Sequence, residues 1–159
     1  MKQRAFTIVE LLIVIVVIGI LAAITIVAYN GIQNRGNDAA IQADLNSFAK
    51  LIEIQKADLG TYPATLTSTM GFKFSKNAYG RDAQNLNVRY CYNSANDTYV
   101  LMANSKSGNY FKVQNSVVQA AVNGTYGYSI CSLLGLSNTN PSQNGYYSAG
   151  SPQWDAWTN

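Results

Sequence analysis

The sequence predicts an α+β fold in which one long N-terminal helix packs against a C-terminal head built on an antiparallel β-sheet. Three observations support this. The stretch 11–29 holds nineteen residues without a charge, and the apolar residues of 35–59 recur at helical spacing. Short alternating segments separated by turn residues follow, which is typical of antiparallel strands. We therefore expect a helix over 6–59 and a globular, β-rich head over 60–159.

Composition argues against an enzyme. The chain has 159 residues, with 11 Lys and Arg, 8 Asp and Glu, and no His. The absence of histidine removes the commonest general base and the commonest transition-metal ligand. The sequence contains no P-loop, GxSxG or HExxH motif and no paired carboxylates. We predict no catalytic residues, no cofactor and no metal site.

The run from Leu11 to Tyr29 is long enough to cross a membrane, because a bilayer core needs about 20 apolar residues in a helix. It is apolar on every side, which is not typical of a surface helix in a soluble domain. Lys2 and Arg4 precede the run, and no charge follows it up to Asn34. The positive-inside bias therefore keeps the N-terminus in the cytoplasm and sends the head outward.

Glu10 stands at the start of this run, and three interpretations of the segment are open. The segment is a removable secretory signal, a plain single-span anchor, or a membrane helix in which the carboxylate has a function. An acid at the start of a membrane helix is costly unless it has a partner. A positively charged N-terminus of a neighbouring chain would supply that partner.

The N-terminal residues resemble a known family. Residues 2–5, KQRA, followed by residues 6–12, FTIVELL, are similar to the processing site and helix start of type IV pilins. The continuation over 18–24, IGILAAI, is similar to that family as well. A basic leader, a small residue, Phe, Glu and an apolar run occur in the family's order over about thirty residues.

The resemblance implies a role for each matching residue. Residues 1–5 would be a leader, cut between Ala5 and Phe6 by a prepilin peptidase. Phe6 would become the N-terminus and be N-methylated. Glu10 would pair with the Phe6 amine of an adjacent subunit and set the axial register. The chain departs from the family at Ala5, where most members have Gly.

The resemblance also implies a structural function. The chain would be a single-span precursor in the cytoplasmic membrane, then a subunit of an extracellular pilus-like filament built from copies of itself by pilus assembly machinery. A pseudopilin of a type II secretion system or a competence pilus subunit is an alternative within the family. A single-span, membrane-anchored binding protein is an alternative from another class.

The second half of the predicted helix is amphipathic. Its apolar residues recur at steps of four, three and four on one face: Ile41, Leu45, Phe48 and Ile52. The polar remainder of the helix comprises Asp38, Asp44, Lys50, Glu53, Lys56 and Asp58. Gly60 and Pro63 predict that the helix stops at residue 59. A bend is expected near Asn30 and Gly31.

The head contains four predicted strands and a possible fifth. The four are 86–92, 98–103, 110–113 and 116–122, with 126–130 following them. Short connections between them favour an antiparallel meander on the apolar helix face. Residues 61–85 and 135–159 are rich in Ser, Thr, Asn and Gly, and we expect loops there.

The two cysteines, Cys91 and Cys131, are too far apart for CxxC redox chemistry, and without His they make a poor zinc site. A disulfide between them is expected if the head lies outside the cytoplasm. Two separate buried thiols are the alternative.

Nucleic acid is the weakest of the partners considered. Tyrosines beside arginines, as at Tyr79 with Arg81 and at Arg89 with Tyr90 and Tyr92, could stack on single-stranded DNA. Alternating tyrosines are also typical of ordinary sheet packing, which we favour here.

Overall fold

The computed structural model describes residues 7–80, 86–114, 116–121, 128–135, 143–148 and 151–154. The elements are α1 Ile8–Leu59, β1 Leu86–Asn93, β2 Thr98–Asn104, β3 Tyr110–Gln114, β4 Val117–Ala121, β5 Gln143–Ser148 and β6 Ser151–Trp154. Short 3-10 helices lie at Ser68–Met70, Lys76–Ala78 and Tyr128–Leu134. The chain divides into two compact units, residues 1–35 and 36–159. The predicted α+β class is confirmed.

The helix α1 ends where the sequence predicts. Gly60 has φ +80°, and its N–H donates to the Lys56 carbonyl at 2.8 Å. This left-handed cap is the conformation that favours glycine at a helix C-terminus. The helix continues without a break through Asn30 and Gly31.

The strands form one antiparallel sheet in the order β4-β3-β2-β1-β5-β6. The predicted meander is present over β1–β4, with register pairs such as Tyr90 with Leu101 and Met102 with Lys112. β2 lies inside the sheet, and all its residues after Thr98 are buried. Because a slip of one residue would move every side chain to the opposite face, this burial specifies the register of β2 against its neighbours.

Two predictions for the end of the head are wrong. Residues 143–148 and 151–154 are strands, within a segment where we expected a loop. β5 pairs with β1, so its strand conformation comes from a tertiary partner, because the sequence QNGYYS has few strand-favouring residues. The expected strand at 126–130 is also wrong for residues 128–130, which belong to a 3-10 helix. Residues 136–142 and 155–159 lie outside the described part of the chain.

The central strands of the sheet, β1 and β2, are buried on both faces. One face packs on α1, and the predicted helix stripe of Ile41, Leu45, Phe48 and Ile52 is confirmed as core, with each side chain at most 1% exposed. The other face carries a smaller cluster: Cys91, Val100, Met102, Ile130, Cys131 and Leu134. Alternate residues of β2 serve the two faces, as the period of two in a strand requires.

Candidate functional site

The N-terminus of α1 is capped by two side chains. The Glu10 carboxylate oxygen Oε2 accepts hydrogen bonds from the Thr7 backbone N–H and the Thr7 hydroxyl, both at 2.8 Å. In return, the Glu10 N–H donates to Thr7 Oγ1 at 3.3 Å. This reciprocal pair is a capping box, in which two otherwise unpaired N–H groups of the helix end are satisfied.

The capping box uses only part of the Glu10 carboxylate. Within the described residues, Oε1 of Glu10 accepts no hydrogen bond. A carboxylate offers about four acceptor positions over its two oxygens. Glu10 can therefore hold its own helix end and still accept a donor from another molecule.

The segment after Glu10 is apolar and uncovered. Every large apolar side chain from Leu11 to Tyr29 is exposed, from 47% at Val14 to 74% at Val27. By length and composition this part of α1 is able to cross a membrane. A signal sequence near the N-terminus meets the same two criteria. The Thr25 hydroxyl donates to the carbonyls of Leu21 and Ala22, so it adds no unsatisfied polar group.

Two predicted site residues, Ala5 and Phe6, lie outside the described part of the chain. The predicted cleavage and methylation at these positions stay predictions.

The second half of α1 holds the head through buried and half-buried carboxylates. Asp44 is only 9% exposed, so its expected place on the polar face is wrong. It accepts hydrogen bonds from the Ser75 N–H at 2.6 Å, the Ser75 hydroxyl at 3.0 Å and the Tyr79 hydroxyl at 3.0 Å. These donors satisfy a carboxylate that would otherwise be costly to bury.

Asp38 fastens α1 to the β2–β3 turn. It accepts hydrogen bonds from the Ser107 hydroxyl and from the Asn109 amide, the latter at 2.7 Å. Burial raises the pKa of Asp38, but hydrogen bonds from Ser105, Ser107 and Asn109 outweigh burial and leave the pKa below its ordinary value.

The end of α1 is joined to the β1–β2 turn through Asp97. Lys56 Nζ lies 3.0 Å from Asp97 Oδ2, and Asp97 Oδ1 accepts the Tyr62 N–H at 2.8 Å. Lys56 also lies 3.8 Å from the centre of the Tyr62 ring. The Tyr62 N–H, and then Lys56, lower the pKa of Asp97, while Asp97 raises the pKa of Lys56.

Cys91 and Cys131 form a disulfide, with their Cα atoms 5.5 Å apart. The bond ties β1 to the 3-10 helix Tyr128–Leu134, and both sulfur-bearing residues are buried. The Asn93 amide donates to the Leu134 carbonyl at 2.9 Å and strengthens the same junction.

Three of the residues considered for nucleic acid are buried, and a fourth, Tyr92, is half-buried. Tyr79, Arg89 and Tyr90 are at most 3% exposed, so they present no ring or guanidinium face to a base. Tyr90 donates to the Pro63 carbonyl at 2.6 Å. Arg81 lies outside the described residues. Within the described residues, no group of three or more His, Cys, Asp or Glu side chains could hold a metal ion.

Two features of these contacts were missed from the sequence. The capping box has a sequence signal, Thr7 three residues before Glu10, which is the S/T-x-x-E pattern. The burial of Asp44 has none, because its partners lie 31 and 35 residues away.

Comparison with known proteins finds matches for the N-terminal region of the chain. Residues 1–26 match the family model for the prokaryotic N-terminal methylation motif. A "Type IV wide pilus major component PilA4" of Thermus thermophilus is 39% identical over 61 residues, or 38% of this chain and 47% of the relative.

Two further relatives are named "Type II secretion system core protein G". The Klebsiella pneumoniae protein is 30% identical over 64 residues, covering 40% of this chain and 46% of the relative. The Escherichia coli protein is 31% identical over 64 residues, covering 40% of this chain and 44% of the relative. The chain thus spans less than half the length of each of these relatives.

No solved structure matches the chain. Together with the long N-terminal helix and the antiparallel sheet, the methylation motif and the relatives support a type IV pilin-like family for this chain.

Proposed function

We propose that this chain is a structural subunit of a pilus-like filament. It is held in the cytoplasmic membrane as a precursor, cleaved between Ala5 and Phe6, N-methylated at Phe6 and assembled with copies of itself by the pilus machinery. The methylation motif supports the processing steps, and the relative named as a pilus component supports assembly into a filament.

The observation that carries the proposal is the difference in burial between the two units. In the head, both faces of the central strands β1 and β2 are covered by the chain itself. The segment 11–29 has no cover within the described residues, since each large apolar side chain there is about half or more exposed. Such a helix needs lipid or other apolar helices around it, and a filament supplies the second environment after the membrane supplies the first.

Glu10 would give the packed helices their register. After cleavage the new amino group would lie on Phe6. The free Oε1 of Glu10 on one subunit would accept a hydrogen bond from the Phe6 amino group of the next subunit. In apolar surroundings an unpaired carboxylate is costly. Axial positions that pair the two charges are therefore favoured over positions that do not.

A pair of variants separates this role from helix capping. Glu10→Gln removes the charge, but Gln serves in a capping box as Glu does. Thr7→Ala removes the capping hydroxyl and keeps the charge, at a cost of about 1 kcal/mol of helix stability. We expect Glu10→Gln to reach the membrane at normal levels and to lose sheared filaments, while Thr7→Ala still yields filaments.

Immunoblots of the membrane and sheared-surface fractions measure both variants. Normal filament yield from Glu10→Gln, or equal loss from both variants, would contradict the register role and leave capping as the function of Glu10.

A second candidate is supported by the secretion-system relatives. In that case the subunit would serve a type II secretion system. Deletion of the chain would then stop the release of secreted proteins into the medium, whereas a pilus subunit would leave release intact and abolish surface filaments.

A further inference from the structure

The two edges of the sheet differ in protection. The edge strand β6, Ser151–Trp154, contains Pro152, and proline on an edge blocks pairing with another strand. The edge strand β4 has the sequence VVQAA, with no charge and no proline. Val117 is 53% exposed, and Gln119 and Ala120 are exposed as well. Within the described residues, β4 therefore has neither a charge nor a proline that would oppose strand addition.

The register shows which backbone groups of β4 face outward. β3 and β4 are joined by the two residues 115–116, with Gln114 opposite Val117 and Lys112 opposite Gln119. The pair that closes a two-residue hairpin is hydrogen-bonded, and such pairs alternate along the strands. The N–H and C=O groups of Gln119 thus face β3, whereas those of Val118 and Ala120 face away from it. Within the described residues, no strand pairs with that outer side.

We propose that β4 pairs with β4 of a second copy, antiparallel and centred on Gln119. In this register Val118 of one copy makes a hydrogen-bonded pair with Ala120 of the other, and the reverse pair forms by symmetry. Gln119 then lies opposite Gln119 at a non-hydrogen-bonded position. This register covers the whole strand and uses every outward backbone group.

A second copy suits this edge because β4 is complementary to itself. Each valine is placed opposite an alanine, and the two central glutamines bring amide opposite amide. No charge meets a charge. Lys112 lies on the next strand inward, so the Lys112 residues of the two copies would be about 14 Å apart across three interstrand spacings, beyond the screening length of about 10 Å.

The pairing would be weak for single heads and effective for many. Two five-residue edges bury far less than the roughly 1,200 Å² of a stable interface. A filament that displays the edge at every subunit multiplies the contact by avidity. The lateral association of filaments through β4 rests on the proposed function, while the pairing itself does not.

Cysteine cross-linking in intact cells tests the register. Gln119→Cys would place two thiols opposite each other, about 4.5 Å apart between Cα atoms. Val117→Cys is the matched control: it is exposed on the same strand, but its symmetry mate would lie about 14 Å away at about 3.4 Å per residue. Disulfides do not form when Cα atoms are more than about 7 Å apart.

After mild oxidation with copper phenanthroline, we expect Gln119→Cys to give a disulfide-linked dimer at about ten times the level from Val117→Cys, given that distance limit. Equal cross-linking of the two variants, or none from Gln119→Cys, would overturn the pairing. The assay also works on chains that are still held in the membrane. If cells with intact pilus machinery form no filaments but give the Gln119→Cys dimer, the pairing is retained and the filament proposal is rejected.

Gln119→Lys places like charges at the centre of the paired edge. By electron microscopy we expect filaments in normal number that no longer lie side by side. Bundles unchanged from those of the parent chain would contradict lateral association through β4.

Discussion

Residues 11–29 and residues 38–56 belong to the same α-helix but solve burial in opposite ways. The first stretch is apolar on all sides and uncovered within the described residues, whereas the second turns one apolar stripe into the core and binds the head with polar side chains. Helix formation alone therefore does not distinguish the two. The difference lies in whether the chain supplies its own cover, and only the second stretch has it.

The largest expected effect is in the core of the second stretch. Phe48 is 1% exposed, and its ring centre lies 5.0 Å from that of Phe72 and 4.5 Å from that of Phe74. Phe48→Ala should lower the free energy of unfolding of the head by about 3–5 kcal/mol. Urea titration of the full chain in detergent, followed by near-UV circular dichroism, measures it.

Ile18→Ala is the matched control in the first stretch, where the side chain is exposed. We expect it to change head stability by no more than about 0.5 kcal/mol. Similar losses from the two variants would refute the division of the helix into two kinds of surface.

The disulfide should come next. Replacing both Cys91 and Cys131 with Ala removes a cross-link over 40 residues, for which the loop-entropy relation gives about 4 kcal/mol and measured cases about 2–4. The same urea titration, run with and without a reducing agent, should show that reduction destabilises the parent chain and leaves the double variant unchanged. If the reducing agent also destabilised the double variant, its effect on the parent chain could not be assigned to the disulfide.

A smaller loss is expected at the buried carboxylate. Asp44→Ala removes the carboxylate that accepts hydrogen bonds from the Tyr79 hydroxyl and the Ser75 N–H, at a cost of about 1–3 kcal/mol. Asp58→Ala, an exposed carboxylate of the same helix, should change stability by about 0.5 kcal/mol at most. Equal effects would mean that the Asp44 contacts do not stabilise the head.

The smallest expected effect is a dependence on pH. The pKa values of Asp38 and Asp97 are lowered in the folded chain. Their contribution to the free energy of unfolding is therefore fully present above the ordinary Asp pKa of about 3.9, and it is lost as the pH falls through the lowered values. The pKa of Lys56 is raised, so its contribution is lost only as pH rises through that raised value, above about 10.4.

Head stability should therefore decline on acidification below about pH 4, and Asp97→Asn should reduce that decline. A variant whose acid profile matches that of the parent chain would show that Asp97 does not contribute.

Much of the fold follows from local patterns. The helix stop at Gly60, the stripe from Ile41 to Ile52 and the hairpins of β1–β4 depend on residues close in sequence, and each was predicted. β5 was not, because its strand conformation depends on pairing with β1 more than fifty residues earlier. The 3-10 helix that carries Cys131 is likewise held by a distant partner, Cys91.

The candidate site divides in the same way. Glu10 was identified from its place in an apolar run, and its Thr7 partner was available from spacing alone. Asp44 has the spacing of a polar-face residue, and only the tertiary donors Ser75 and Tyr79 make it a buried one.

Mass spectrometry of the N-terminus of the chain recovered from the cell surface tests the filament proposal most directly. The proposed processing predicts a first residue of Phe6, carrying one methyl group on its amine. A chain that begins at Met1, or near residues 24–30 as after an ordinary secretory signal, would contradict it.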